Sequence, residues 1–102
     1  MPVRLIADNA QTLPGENLYV VGNVSELGNW DANKAIGPMF NATASIAQYP
    51  SWFYDINLPK NKNIEYKFIK KNKDGQIIWE SGENHKITSS EEAQTKRASW
   101  QN

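Results

Sequence analysis

Residues 52–58 read Trp-Phe-Tyr-Asp-Ile-Asn-Leu, and Pro59 follows them directly. Beginning with Trp52, every second residue of this stretch is apolar, which is the period of a β-strand with one buried face. Proline has no N–H to donate to a sheet ladder, so the strand is predicted to end before Pro59. This stretch predicts a β-strand with Trp52 in the core.

Residues 64–69, Ile-Glu-Tyr-Lys-Phe-Ile, repeat the same period, so Glu65, Lys67 and Ile69 should share the face opposite the core. Further short strands are predicted at residues 3–7, 18–21, 76–80, 86–88 and 95–100. Six to eight short strands separated by turns predict an antiparallel β-sandwich or barrel of immunoglobulin-like size.

Length and composition limit the possible functions. A chain of 102 residues is predicted to form one small domain over residues 1–102 and to be a monomer. Eleven basic and eleven acidic residues cancel, so neither nucleic acid nor a membrane is an expected partner. The absence of Cys excludes a disulfide framework and a thiolate nucleophile. Arg4 and Asp8 interrupt the first apolar stretch, so no signal peptide is predicted.

The turn at residues 72–75, Asn-Lys-Asp-Gly, decides where Trp79 points. A three-residue loop closing from Asn72 to Gln76 pairs Ile69 with Trp79 and places Trp79 on the face of Lys67. A two-residue turn would place Trp79 in the core instead. The residue types favour the three-residue loop.

Few residues could support catalysis or hold a cofactor. His85 is the only histidine and has no nucleophile motif around it, so a structural role is expected. Acidic residues such as Glu80 and Glu83 lie at predicted turns, where carboxylates are normally solvated. No metal-binding spacing or phosphate loop is present, and we predict no catalytic residue, metal or cofactor.

The aromatic residues carry more information. Trp30 lies among Gly, Asn and Asp residues, so it either plugs the end of a sandwich or forms an exposed stacking platform. Trp79 and Tyr49 also have polar neighbours that could bond to sugar hydroxyls. Trp52 and Trp100 are expected to pack in the core.

Residues 18–31, Leu-Tyr-Val-Val-Gly-Asn-Val-Ser-Glu-Leu-Gly-Asn-Trp-Asp, closely resemble the signature of starch-binding domains, carbohydrate-binding module family 20. The resemblance continues through residues 34–39, 49–55, 64–71, 79–80, 84–85 and 100–101. It is strongest to the C-terminal module of bacterial cyclodextrin glucanotransferases and maltogenic amylases. The resemblance implies a β-sandwich of seven to eight strands that binds α-1,4-glucans such as starch, maltooligosaccharides and cyclodextrins at two sites.

The resemblance also implies which residues form those sites. In the first site, Trp30 and Trp79 would be the stacking platforms, and the hydrogen bonds to sugar hydroxyls would come from Lys67, Glu80 and Asn84. The second site would comprise Tyr49, Asn41, Thr12, Gly15 and Asn17. Residues 41–48 look longer than their counterpart in those enzymes, so this sequence departs from the family pattern at the second site.

Two functions remain open at this point. The first is a non-catalytic glucan-binding module that is covalently part of a secreted, starch-acting enzyme, and therefore extracellular. The alternative is a structural or protein-docking sandwich whose sugar site has degenerated. The simultaneous presence of Trp30, Lys67 and Trp79 favours the first.

Overall fold

A computed structural model describes residues 1–41 and 50–102. Within them lie eight strands: β1 (Pro2–Asp8), β2 (Asn17–Gly22), β3 (Phe40–Asn41), β4 (Trp52–Asn57), β5 (Asn63–Lys71), β6 (Ile77–Trp79), β7 (His85–Thr88) and β8 (Gln94–Ser99). Two short 3-10 segments, Ser25–Trp30 and Ala32–Lys34, interrupt them. No helix in the described residues is long and apolar enough to cross a membrane. The predicted all-β class is confirmed.

The strands form two sheets. The first sheet has the order β3-β4-β1-β8, and the second has the order β2-β5-β6, with β7 also paired to β5. The named strands pair antiparallel, as predicted, except that β1 and β8 run parallel from Val3–Gln94 to Asp8–Ser99. Alternation along a strand predicts which face is buried but carries no information on strand direction, which explains the difference.

The core lies between the inward faces of the two sheets. Its largest fully buried side chains include Tyr66, Phe68, Leu5, Leu18 and Ile64. Trp52 and Trp100 are also buried in this cluster, as predicted. Full burial of a large apolar side chain contributes about 1.5–3 kcal/mol, so these inward faces hold the sandwich together.

Two apolar side chains on the outer face of the second sheet are also buried. Val21 and Ile69 are fully buried, although neither belongs to the core cluster between the sheets. Alternation from the inward-facing Val20 and Phe68 places both on the outer face. This face therefore has an apolar floor, and the candidate site is built upon it.

Candidate functional site

The hairpin between β5 and β6 turns Trp79 outward. The Asn72 N–H donates to the Gln76 carbonyl at 3.1 Å, and the Gly75 N–H donates to the Asn72 carbonyl at 3.0 Å. Gly75 has a φ of +83°, in the left-handed region that a glycine adopts without steric cost. Ile69 pairs with Trp79, so the predicted three-residue loop and its register are confirmed.

Trp79 and Lys67 lie on the outer face of the second sheet. The Trp79 side chain is 43% exposed, whereas its register partner Ile69 is fully buried. The Lys67 Nζ donates to the Glu80 carbonyl at 3.2 Å and to the Gly82 carbonyl at 2.6 Å. Lys67 thus supports the backbone that follows Trp79. Since an ammonium group has three N–H donors, one remains for a ligand.

Trp30 is held in an unusual backbone conformation. Gly28, Asn29 and Trp30 have φ values of +79°, +51° and +64° in succession. A left-handed bulky residue costs on the order of 1–3 kcal/mol, and such strain concentrates at functional sites. The segment is anchored by the fully buried Leu27, and a Cβ at Gly28 would lie 2.6 Å from the Lys34 carbonyl. The fold therefore imposes the conformation of Trp30.

The anchor of Trp30 lies at the end of β2 that pairs with Lys67. Val21 pairs with Lys67, and Gly22 ends the strand immediately afterwards. A Cβ on Gly22 would lie 2.8 Å from the Leu27 Cδ1, so the absence of a side chain allows Leu27 to pack there. Trp30 itself is half-buried, so part of its side chain is accessible to solvent.

Asn84 is held by a residue that the sequence analysis did not assign to the site. Its Nδ2 donates to the Glu65 Oε1 at 3.1 Å. Glu65 is half-buried, and its N–H donates to the Asn23 Oδ1 at 3.1 Å. The alternation of residues 64–69 already placed Glu65 on the face of Lys67. That period is the signal that could have added Glu65 to the site.

The position of Glu80 requires a correction. Its side chain is fully buried, with the Oε1 accepting from the Phe68 N–H at 2.7 Å and the Oε2 from the Gln101 N–H at 3.1 Å. The His85 Nε2 also lies 2.7 Å from the Glu80 Oε1. A carboxylate enclosed in this way cannot reach a sugar on the surface. The expectation that the Glu80 side chain contacts ligand is therefore wrong.

The buried groups around Glu80 form a polar cluster beneath the site. The His85 ring lies 5.3 Å from the Tyr66 ring and 5.1 Å from the Phe68 ring, between centroids. Burial, with a further contribution from the negative charge of Glu80, raises the pKa of the Tyr66 hydroxyl far above its usual range. His85 belongs to this interior cluster, in agreement with the structural role expected for it.

The residues predicted for the second site are only partly described. Tyr49 lies outside the described residues. Thr12 and Gly15 lie in the loop before β2, with Gly15 at a φ of +86°, and the exposed Asn17 is the first residue of β2. Asn41 is half-buried in β3. Thr12 and Gly15 thus lie in the loop that leads into β2, and Asn17 lies at the junction of that loop with the strand.

A groove runs beside this loop. It has a volume of about 740 Å³ and lies between Thr12, Leu13 and Glu16 of the loop and Lys70 and Ile78 of the second sheet. The loop is compact, because the Leu13 N–H donates to the Glu16 Oε1 at 2.7 Å and the Glu16 N–H donates to the Leu13 carbonyl at 2.9 Å.

The outer face of the second sheet therefore combines an open indole ring with fixed polar groups. A sugar ring packs its C–H face on an aromatic ring, while its hydroxyls bond to nearby amide, ammonium and carboxylate groups. Trp79, Lys67, Asn84 and Glu65 provide these groups in one region. In the part of the chain that the structure describes, no group of three or more His, Asp or Glu residues could hold a metal ion.

The family comparison matches most of the chain. Residues 1–99 match the family model of carbohydrate-binding module family 20, described as a starch binding domain. The chain is 60% identical over 87 residues to the cyclomaltodextrin glucanotransferase of Bacillus sp. (strain 1-1), covering 85% of this chain and 12% of that enzyme. It is 50% identical over 101 residues to that of Geobacillus stearothermophilus, covering 98% of this chain and 14% of that enzyme. The chain thus spans only a small part of these relatives.

Solved structures show the same architecture. The γ-cyclodextrin glucanotransferase of alkalophilic Bacillus clarkii matches with a TM-score of 0.92 at 46% identity, covering 99% of this chain and 15% of that one. The family 20 carbohydrate-binding module of the maltotetraose-forming amylase from Pseudomonas saccharophila STB07 matches with a TM-score of 0.80 at 31% identity. That match covers 98% of this chain and 100% of the module.

Proposed function

Because this chain belongs to the starch-binding domains of carbohydrate-binding module family 20, we propose that it binds α-1,4-glucans through aromatic platforms on the outer face of its second sheet. The family is one of non-catalytic binding modules, so the chain is a binding protein and not an enzyme. The ligands we assign to it are starch chains, maltooligosaccharides and cyclodextrins. Residues 1–102 act as one module in this proposal.

The observation that carries this proposal is the outward position of Trp79. The hairpin register exposes 43% of its side chain above the buried Ile69. An aromatic side chain exposed to this extent leaves one ring face open for the C–H face of a glucose unit. Trp30, held at a φ of +64° by the fold, is the second platform of this first site.

The polar part of the first site consists of Lys67 and Asn84. Both are already hydrogen-bonded to the protein, Lys67 to the Glu80 and Gly82 carbonyls and Asn84 to Glu65. Side chains held in this way lose little conformational entropy when they bind a hydroxyl. The unused Lys67 donor and the Asn84 amide oxygen are therefore suited to fix the orientation of a sugar.

The second site in this proposal centres on Tyr49, with Asn41 and the loop that contains Thr12, Gly15 and Asn17. Support comes from the groove of about 740 Å³ that lies beside this loop and is lined in part by Thr12. Two weak sites on one module raise the apparent affinity for a polymer, because a chain held at one site meets the other at high local concentration.

The biological context follows from the relatives. Cyclomaltodextrin glucanotransferases carry the matching region as a small part of a larger chain. We assign this module the same role, as the covalently attached, extracellular part of a starch-acting enzyme that keeps the enzyme on its substrate. The module itself is monomeric in this view.

Calorimetric titration with β-cyclodextrin tests the binding proposal and counts the sites. We expect saturable binding with quenching of Trp fluorescence and a stoichiometry of two ligands per chain. Cellohexaose, a β-1,4-glucan of similar size, serves as the matched control ligand and should not bind. Absence of heat and of quenching at millimolar β-cyclodextrin would refute the proposal.

A further inference from the structure

The segment formed by residues 80–83 connects two residues of the first site, since Trp79 precedes it and Asn84 follows it. Although the segment lies between strands, its backbone is fixed from several directions. The Glu80 N–H donates to the Phe68 carbonyl at 3.2 Å, and the Ser81 N–H donates to the Gln101 carbonyl at 3.0 Å. The positions of the Trp79 ring and the Asn84 amide therefore depend on what holds this segment.

Gln101, near the carboxyl end of the chain, makes most of the hydrogen bonds and packing contacts that hold this segment. Its Nε2 donates to the Glu83 carbonyl at 2.9 Å, and its N–H donates to the Glu80 Oε2 at 3.1 Å. Gly82 packs directly against it, because a Cβ at Gly82 would lie 2.5 Å from the Gln101 Oε1. Gln101 thus contacts all four residues of the segment, Glu80, Ser81, Gly82 and Glu83.

The Glu80 carboxylate joins this segment to the sheet. Its Oε1 accepts from the Phe68 N–H of β5 and lies 2.7 Å from the His85 Nε2 of β7, while its Oε2 faces Gln101. Burying a carboxylate costs free energy unless it is fully hydrogen-bonded, and a well-packed apolar group in the same place is often at least as stabilising. The carboxylate offers something an apolar group cannot, namely acceptors for two backbone N–H groups in fixed directions.

We propose that Glu80 and Gln101 are positioning residues of the glucan site: together they clamp residues 80–83 and so set the relative placement of Trp79 and Asn84. Neither side chain touches the sugar in this arrangement. The inference rests on the proposed function, because it assigns these residues a purpose within the first site. It replaces the direct ligand contact that was expected of Glu80.

The test compares Gln101→Ala and Glu80→Gln with the wild type. Gln101→Ala removes the side-chain bond to Glu83. Glu80→Gln retains one carbonyl oxygen for Phe68 but replaces an acceptor with an N–H₂ donor, which cannot accept from Gln101. We expect each variant to weaken β-cyclodextrin binding at the first site roughly three- to tenfold, the range that corresponds to one hydrogen bond.

Ser89→Ala is the matched control. Ser89 is buried, its Oγ donates to the Pro59 carbonyl at 2.6 Å and accepts from the Lys62 N–H at 2.8 Å, and it lies beyond the end of β7 opposite His85. Its loss should destabilise the fold without changing affinity. Equal losses of affinity in Ser89→Ala and Gln101→Ala, or unchanged affinity in both clamp variants, would overturn the proposal.

A second readout needs no ligand and so separates this inference from the proposed function. In both clamp variants, the amides of Glu80 and Ser81, which donate to the Phe68 and Gln101 carbonyls, should exchange with solvent faster, and the Trp79 indole N–H resonance should shift or broaden. The Trp52 indole N–H, which donates to the Ala10 carbonyl at 2.9 Å, should not change. If the wild type bound no glucan but these signals changed in the variants, the result would support the holding of residues 80–83 by Glu80 and Gln101. It would refute only the proposed glucan binding. Unchanged signals would reject the clamp itself.

Discussion

Both sheets carry aromatic rings on their outer faces, but the rings have different neighbours. In the first sheet, Phe40 is 56% exposed and its ring lies 5.8 Å from that of Phe53. The Arg4 guanidinium stands 4.7 Å from the Phe53 ring and donates two hydrogen bonds to Asp55, at 2.7 and 2.8 Å. The polar groups around these rings therefore bind one another.

In the second sheet, the polar groups are fixed but still have bonding capacity. Trp79 is 43% exposed and makes no ring–ring or cation–π contact with any described residue. Lys67 and Asn84 bond to the protein in ways that leave a donor or an acceptor for a hydroxyl. The comparison indicates that exposure alone does not make an aromatic ring a sugar platform, because prepositioned hydrogen-bonding neighbours are also needed.

The sharpest test of this difference removes one exposed ring from each face. Trp79→Ala should weaken β-cyclodextrin binding by about 2 kcal/mol, roughly 30-fold, as for a hot-spot aromatic residue, and should leave the chain folded. Phe40→Ala removes the more exposed ring and should not change affinity. Calorimetric titration of both variants measures the effects. A comparable loss of affinity in Phe40→Ala would mean that the first sheet also binds glucan.

The contribution of the second site is tested with the polymer. Tyr49→Ala should leave β-cyclodextrin binding at the first site nearly unchanged, since distant sites act additively. Retention on polymeric starch should fall by about tenfold or more, because the gain in effective concentration requires both sites. Starch pull-down and titration are run side by side. A wild-type stoichiometry of one, with unchanged starch retention in Tyr49→Ala, would remove the second site.

A substitution at Lys67 tests whether its unused hydrogen-bond donor contributes to glucan binding. Lys67→Met retains the length and apolar stem but removes the ammonium donors, so affinity for β-cyclodextrin should fall about fivefold, which corresponds to about 1 kcal/mol. Lys60→Met is the matched control, because Lys60 is exposed in the connection between β4 and β5 and belongs to neither candidate site. Titration should show no change for this control. Equal affinities of Lys67→Met and wild type would exclude Lys67 from the site.

The smallest effect is expected at the ion pair of the first sheet. Hydrogen bonds from Arg4 hold the pKa of the Asp55 carboxyl below its usual range. A depressed pKa contributes stability that is present above the unfolded pKa and is lost as pH falls through the folded pKa. Asp55→Asn should therefore lower Tm slightly at pH 7, and the difference should vanish in strong acid. Because the pair is exposed, the difference in Tm between Asp55→Asn and the wild type should be small even at pH 7. Thermal melts of both proteins at pH 7 and in strong acid measure it.

The β-cyclodextrin affinity of Asp55→Asn also tests the comparison between the outer faces of the two sheets. Its affinity for β-cyclodextrin at pH 7 should equal that of the wild type, because the pair belongs to the first sheet. A weakened titration would place Asp55 in a binding site.

Local patterns were sufficient to predict several parts of the site. The types of residues 72–75 specify the turn, and the turn specifies the register that points Trp79 outward. The period of residues 64–69 predicted that Lys67 and Glu65 share a face. These features depend on residues close together in the chain, and for that reason they can be read from it.

The burial of the Glu80 carboxylate could not be predicted from local patterns. Continuing the alternation from an outward Trp79 places Glu80 inward, but a carboxylate is rarely buried unless it is paired. Its partners, Phe68, His85 and Gln101, lie 12, 5 and 21 residues away along the chain. Charge therefore suggested a surface position, and the compensating donors became apparent only in three dimensions.

The sequence by itself determined the all-β class, the buried faces of 52–58 and 64–69 and the exposure of Trp79, because each follows from the two-residue period or from turn chemistry over a few residues. Only the tertiary structure decided the parallel pairing of β1 with β8, the left-handed conformation of Trp30 and the burial of Glu80. Each of these depends on contacts between distant segments, whose free energy outweighs the local preference for antiparallel pairing, for negative φ and for a solvated carboxylate.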